Sequence, residues 1–149
     1  MYHHHLFGLF DDETIMKYLK YAGLAIVFSW FFFGGIGHFT SADFFVSIVP
    51  TWWPWPLAAV YVSGVFEIGL ALLVLHPRTR SLAGWGLIAL TIAVTPANVH
   101  MYLNPELFPE VEEVFLSVRL VVQVFLLALI WWSTRPVTLT SAETSATSQ

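Results

Sequence analysis

Four stretches of this chain are apolar on every helical face, and the polar residues crowd into the segments between them. Tyr21 to Phe39, Leu57 to Leu75, Leu82 to Leu103 and Val114 to Trp132 are each of the length a bilayer-crossing helix needs, roughly 20 residues. A domain of this size cannot bury four helices that are apolar all round, so the pattern predicts an all-α, integral membrane four-helix bundle. Residues 1–20 read as a cytoplasmic lead-in, 21–133 as the four-span domain and 134–149 as a disordered Ser/Thr/Ala-rich tail.

The breaks between spans carry their own signals. Asp11 or Asp12 is placed to cap a helix that runs into the first span. From Thr40 to Pro56, Pro50, Pro54 and Pro56 exclude a regular helix, while Trp52, Trp53 and Trp55 favour the membrane–water interface. This segment is expected to lie, extended or partly helical, across the outer surface, where the tryptophans act as an anchor or a stacking platform. Pro56 suits the first turn of span two, and His76-Pro77 ends it. Pro96 is expected to kink span three near Thr91 and Ile92. An acidic loop with Glu106, Glu110, Glu112 and Glu113 leads into span four.

Composition narrows the function classes. Hydrophobic residues reach 57% and charged ones fall to 11%, which fits a chain solvated by lipid. The net charge of −4 and the absence of any basic cluster argue against a nucleic-acid partner. With no cysteine, a disulfide framework, a thiolate nucleophile and Cys ligation of an iron–sulfur cluster are excluded. Asp11, Asp12 and Glu13 interrupt the N-terminal segment, so the first span, rather than a cleavable signal peptide, is the expected insertion signal. His3, His4 and His5 lack carboxylates or cysteines at metal-ligand spacing and read as a flexible run or a tag remnant, and no metal site is expected. No metalloprotease, nucleophile-elbow, P-loop or dinucleotide fingerprint is present.

Arginine and lysine set the orientation. Lys17, Lys20, Arg78, Arg80 and Arg135 all flank one end of the spans, and the remaining basic residue, Arg119, lies inside one. The positive-inside rule then places both termini in the cytoplasm, and the expected location is a bacterial-type plasma or inner membrane.

Within the spans the formal charges are Glu67 and Arg119, and each costs at least ~2.5 kcal/mol if left in hydrocarbon. Counting ~1.5 Å per residue from the outer span ends puts Glu67 about 16 Å deep, Asn98 and Arg119 about 8 Å, Gln123 about 14 Å and His38 at the outer end. Arg119 and Gln123 are i and i+4 on one face; Thr91, Thr95, Asn98 and Tyr102 form a stripe; Gly64 and Glu67 share a face, as do Trp30, Gly34 and His38. The expectation is one outward-half polar pocket of His38, Glu67, Asn98, Arg119 and Gln123, lined by Trp30, Gly34, Gly64, Thr95 and Tyr102. Glu67 and Arg119 are expected to pair, directly or through Gln123, Asn98 or water; the alternative is an ion pair that only fixes helix packing. His100 projects away from Asn98 and reads as an interfacial histidine.

Several ordered motifs resemble the DoxX-like family of small four-helix membrane proteins: Gly34-Gly35-Ile36-Gly37-His38-Phe39, Ile48-Val49-Pro50, Tyr61 to Glu67, Arg78 to Gly86, Pro96 to His100 and Arg119 to Gln123. The resemblance spans about residues 20 to 133 and implies a membrane bundle whose polar motif positions are His38, Glu67, Asn98, Arg119 and Gln123. It also implies an association with redox enzymes, the family being named for a membrane subunit of a thiosulfate:quinone oxidoreductase. The lack of cysteine and of a soluble redox domain argues against a stand-alone thiosulfate oxidase. The leading expectation is therefore a membrane subunit that binds a small amphipathic ligand such as a quinone. The alternatives are an assembly factor for a membrane or periplasmic redox enzyme, with the polar cluster purely structural, and an isomerase or hydrolase of a lipophilic substrate using Glu67 and His38. The depth count sets those two groups ~15 Å apart, which disfavours the last.

Overall fold

The computed structural model describes residues 12–135; His3 to His5, Asp11 and the tail beyond Arg135 lie outside them, and the Asp12 side chain is likewise not described. The described chain is all-helical: α1 (Asp12–Thr40), a short α2 (Ala42–Ser47), α3 (Pro56–Leu75), α4 (Arg80–Leu103), a 3-10 turn (Pro105–Leu107) and α5 (Glu113–Thr134). Four of these helices, α1, α3, α4 and α5, are long and apolar enough to cross a bilayer. They match the four apolar stretches, with α1 continuing into the polar residues before Tyr21.

The helix ends follow local chemistry. Pro56 occupies the first turn of α3, where its missing N–H has no partner to lose. His76, held extended before Pro77, stops α3. The carbonyls left open there are covered by the next turn: Thr79 Oγ1 donates to Leu73 O at 2.6 Å and Arg80 Nε to Val74 O at 3.2 Å. The Asn104 side chain donates to His100 O at 2.7 Å and closes α4. α4 runs as one helix through Pro96. The segment expected to be extended or partly helical forms α2 and a Pro/Trp turn.

The long helices pack as a ring in which α1 and α4 each touch both α3 and α5. Every seam of that ring contains a glycine at which an added Cβ would press on the facing helix. A Cβ on Gly35 would meet Ile68 of α3, one on Gly86 would meet Leu70, one on Gly84 would meet Thr134, and one on Gly23 would meet Ser133. Two apolar clusters fill the interior. The larger, which includes Val27, Phe31, Val74, Leu87 and Ile130, lies toward the end where α1 begins and α5 finishes. The smaller, Ile48, Met101, Phe108 and Leu116, lies toward the α2 end. His38, Glu67, Thr91 and the Thr95/Asn98/Gln123 group fall between the two, while buried Ser133 and Thr134 lie beyond the larger cluster at the end of α5. Only 17–33% of each long apolar window is buried, so most of the hydrophobic surface faces outward, as lipid contact requires.

Candidate functional site

The hydrogen bonds and ion pair of the interior polar groups fall into two centres, one on the α1–α3 seam and one on the α4–α5 seam. The first joins α1 to α3. Gly35 and Gly64 bring the two backbones together: a Cβ on Gly64 would lie 2.8 Å from His38 Cβ and 3.1 Å from Gly35 O. At that spacing His38 Nδ1 reaches Val60 O at 2.8 Å, and His38 Nε2 lies 3.5 Å from Glu67 Oε1. Both residues are buried, at 8% and 9% exposure. The other carboxylate oxygen, Oε2, sits against Gly34, where a Cβ would come within 3.1 Å of it. Phe45 of α2 stacks on the imidazole with ring centroids 4.1 Å apart and closes the site from the α2 end.

The hydrogen bonds constrain the protons. A carbonyl only accepts, so Nδ1 carries a hydrogen and donates to Val60. Neutral His38 then presents a bare Nε2 to Glu67, and an attractive contact there needs one proton on either Nε2 or the carboxylate. The pair is complete with one proton between its two facing atoms.

The second centre joins α4 to α5 and is a hydrogen-bonded chain with a fixed direction. Arg119 Nη2 donates to Asn98 Oδ1 at 2.8 Å, and a guanidinium can only donate. That orients the Asn98 amide, whose Nδ2 donates to Gln123 Oε1 at 2.6 Å. Gln123 Nε2 in turn donates to Thr95 Oγ1 at 2.5 Å, and Thr95 Oγ1 donates to Thr91 O at 2.9 Å. Each member polarises the next in the same sense, which strengthens the chain. Thr91, one turn further, donates to Leu87 O at 2.7 Å. These interhelical bonds join the two stripes read from spacing, Arg119/Gln123 and Thr91/Thr95/Asn98.

Glu67 and Arg119 make no direct pair. Among the described residues, no salt bridge or hydrogen bond links Glu67 to Arg119, and no carboxylate lies within salt-bridge reach of Arg119. Glu67 instead faces His38, across the gap that depth counting put at ~15 Å. Two effects close it. The α1–α3 contact sets Gly35 beside Glu67 and His38 beside Gly64, so His38 is not at the rim but level with the second turn of α3. The Glu67 side chain also leans toward the N-terminus of its own helix, which is toward His38.

The remaining expected lining residues divide. Gly34 and Gly64 belong to the first centre and Thr95 to the second. Trp30 is exposed on the outside of the bundle. Tyr102, also exposed, borders a separate cleft of about 220 Å³ with Pro105, Glu113, Leu116 and Ser117. A second open cleft of about 270 Å³ lies between the Pro/Trp turn and the end of α4, lined by residues that include Trp52, Pro96, His100 and Asn104. Two contributors lack a sequence signal: the Val60 carbonyl, which any residue would supply, and Phe45, one of many aromatics. Among the described residues no cluster of three or more His, Asp or Glu could hold a metal ion.

A family model described as a domain of unknown function, DUF8561, matches residues 27–134 and so includes both centres. No curated protein and no solved structure matches the chain.

Proposed function

The chain belongs to the DUF8561 family, and we propose that it is a multi-pass membrane protein that binds a small amphipathic ligand through Arg119 in the outer half of the bundle. In this reading the termini are cytoplasmic, because Lys17, Lys20, Arg78, Arg80 and Arg135 flank one end of the helices. The observation that carries the proposal is the guanidinium itself. Arg119 has five N–H donors, and the chain engages it through one amide oxygen, with no carboxylate among the described residues to neutralise it. A cation in a span is stabilised when an acceptor oxygen of a ligand or lipid meets those donors. Phe115 and Val118, beside it on α5, are exposed apolar surface for the ligand's hydrophobic body.

A quinone has the required combination of apolar ring and carbonyl acceptors. The redox context comes from the DoxX-like resemblance of the motifs around His38, Glu67, Asn98, Arg119 and Gln123. The test is titration of a short-chain ubiquinone analogue into purified protein in nanodiscs. Saturable binding that weakens about 10–100-fold in Arg119→Gln, the equivalent of one charged hydrogen bond, supports the reading. No saturable binding in the wild type, together with no lipophilic molecule retained on purification, refutes it.

The completeness of the Arg119–Asn98–Gln123–Thr95 chain favours a second reading, in which that chain is only a stitch between α4 and α5 and the protein is an assembly factor. Crosslinking in the native membrane that captures one specific redox enzyme, with capture unaffected by Arg119→Gln, supports this instead.

A further inference from the structure

We propose that His38 and Glu67 form an acid–base site that holds one proton and exchanges it past Gly34, beneath the Phe45 ring. The inference stands apart from the ligand at Arg119, which belongs to the other helix pair.

Three observations carry it. The Val60 carbonyl fixes the imidazole with its hydrogen on Nδ1, so the proton-accepting edge points at Glu67 Oε1, 3.5 Å away. Phe45 and the Gly35/Gly64 contact exclude bulk water from that edge. The carboxylate nevertheless has a second oxygen, Oε2, facing Gly34 of α1, where an added Cβ would meet that oxygen at 3.1 Å and nothing else within 4 Å, and Gly34 is itself only half-buried. A proton delivered to Oε2 gives the carboxylic acid. Rotation of the carboxyl group turns that O–H toward His38, and transfer of its proton to Nε2 breaks the O–H bond, forms the N–H bond and leaves a carboxylate and an imidazolium. The reverse step returns the proton to Glu67 for release at Oε2. A buried acid with one oxygen on a base and the other toward an opening is the arrangement general acid–base transfer needs.

Among the described residues no other charged group lies within salt-bridge reach of this proton. On α2, Asp43 is exposed; on α3, the Tyr61 ring stacks on Phe39. On α4, His100 is engaged by Asn104, and on α5, Arg119 is engaged by Asn98. Among the described residues, none of these lies within salt-bridge reach of Glu67 or His38 except the two of them with each other.

The wild-type protein decides the matter in nanodiscs. Histidine nitrogen NMR, with His38 assigned through its contacts to Val60 and Phe45, should show Nδ1 protonated at every pH. Acidification should change the proton occupancy of the pair, read at Nε2 and in the infrared carbonyl band of a protonated carboxyl. That band should disappear in Glu67→Gln. Gly34→Leu, which covers Oε2, should slow its deuterium exchange severalfold. A bare Nδ1, or a pair whose two signals do not move from alkaline to acid, overturns the acid–base site. Unchanged exchange in Gly34→Leu overturns the opening. The nitrogen spectrum needs no variant, so failure of either substitution to fold still leaves a decisive measurement.

Discussion

Adding one methyl group at Gly64 should destabilise the protein, and adding one at Gly69, five residues along the same helix, should stabilise it. The Gly64 methyl carbon would arrive 2.8 Å from both His38 Cβ and Phe39 Cε2, about 0.7 Å inside the ~3.5 Å at which carbon atoms rest. Phe39 can swing aside, but His38 Cβ is fixed to the α1 backbone and Gly35 O blocks the third direction at 3.1 Å. The helices must part, and overpacking of this kind costs about 1–3 kcal/mol. A methyl at Gly69 meets nothing within 4 Å and removes the backbone freedom of a helical glycine, worth ~0.8–1 kcal/mol. The two alanine variants should therefore separate by about 2–4 kcal/mol, in opposite directions from wild type. Reversible unfolding by SDS titration in mixed micelles reads this directly. A Gly64→Ala protein as stable as wild type, or one that moves with Gly69→Ala, would show that the α1–α3 seam is not held at backbone contact.

Three further outcomes follow from the two polar centres and the α5 terminus. Glu67→Gln and Arg119→Gln share no partner, so their stability losses should add within ~0.5 kcal/mol; coupling well above ~1 kcal/mol in the double-mutant cycle would restore a direct pair. Gln123→Leu strands Asn98 Nδ2, while Thr95 Oγ1 keeps its bond to Thr91 O, and should cost about 1–3 kcal/mol in unfolding titrations, with a neutral result showing that the relay does not bear on stability. Arg135 stacks on Trp85 and Trp131 with its guanidinium carbon 4.4 and 4.1 Å from their centroids; Arg135→Leu should lose ~1–2 kcal/mol and alter tryptophan emission, and unaltered emission would contradict the stacking.

The helices were legible because hydropathy is a local property: each span is marked by its own residues, and Pro56 and Pro77 mark the two ends of the second. The α4–α5 relay was partly legible for the same reason, since i, i+4 spacing puts Arg119 with Gln123 and Thr91 with Thr95 whatever the neighbouring helix is. What spacing does not contain is which stripes face each other and at what height. The Glu67–His38 contact depends on both. Measuring depth from span ends assumes that all helices start in one plane with side chains perpendicular to their axes. The Gly35–Gly64 contact instead sets the register of α1 on α3, and Glu67 leans along its helix axis. Arg119 and Glu67, matched on charge alone, belong to different seams of the ring.

That ring also closes in sequence space. Lys20 Nζ donates to Arg135 O at 2.8 Å, so a residue just over two turns into the first long helix and the residue after the last helix meet as neighbours, although 115 positions separate them. No seam is marked by the covalent order as the one where the chain must open. Joining the region before α1 to the region after Arg135 and cutting instead in the turn between α3 and α4 would preserve all four packed seams. It would also leave both new ends beside Arg78 and Arg80, at the helix ends where Lys17, Lys20 and Arg135 also lie. A circular permutant of this kind should insert and fold, whereas a cut at the Pro/Trp turn would free the α2 segment that lays Phe45 over His38.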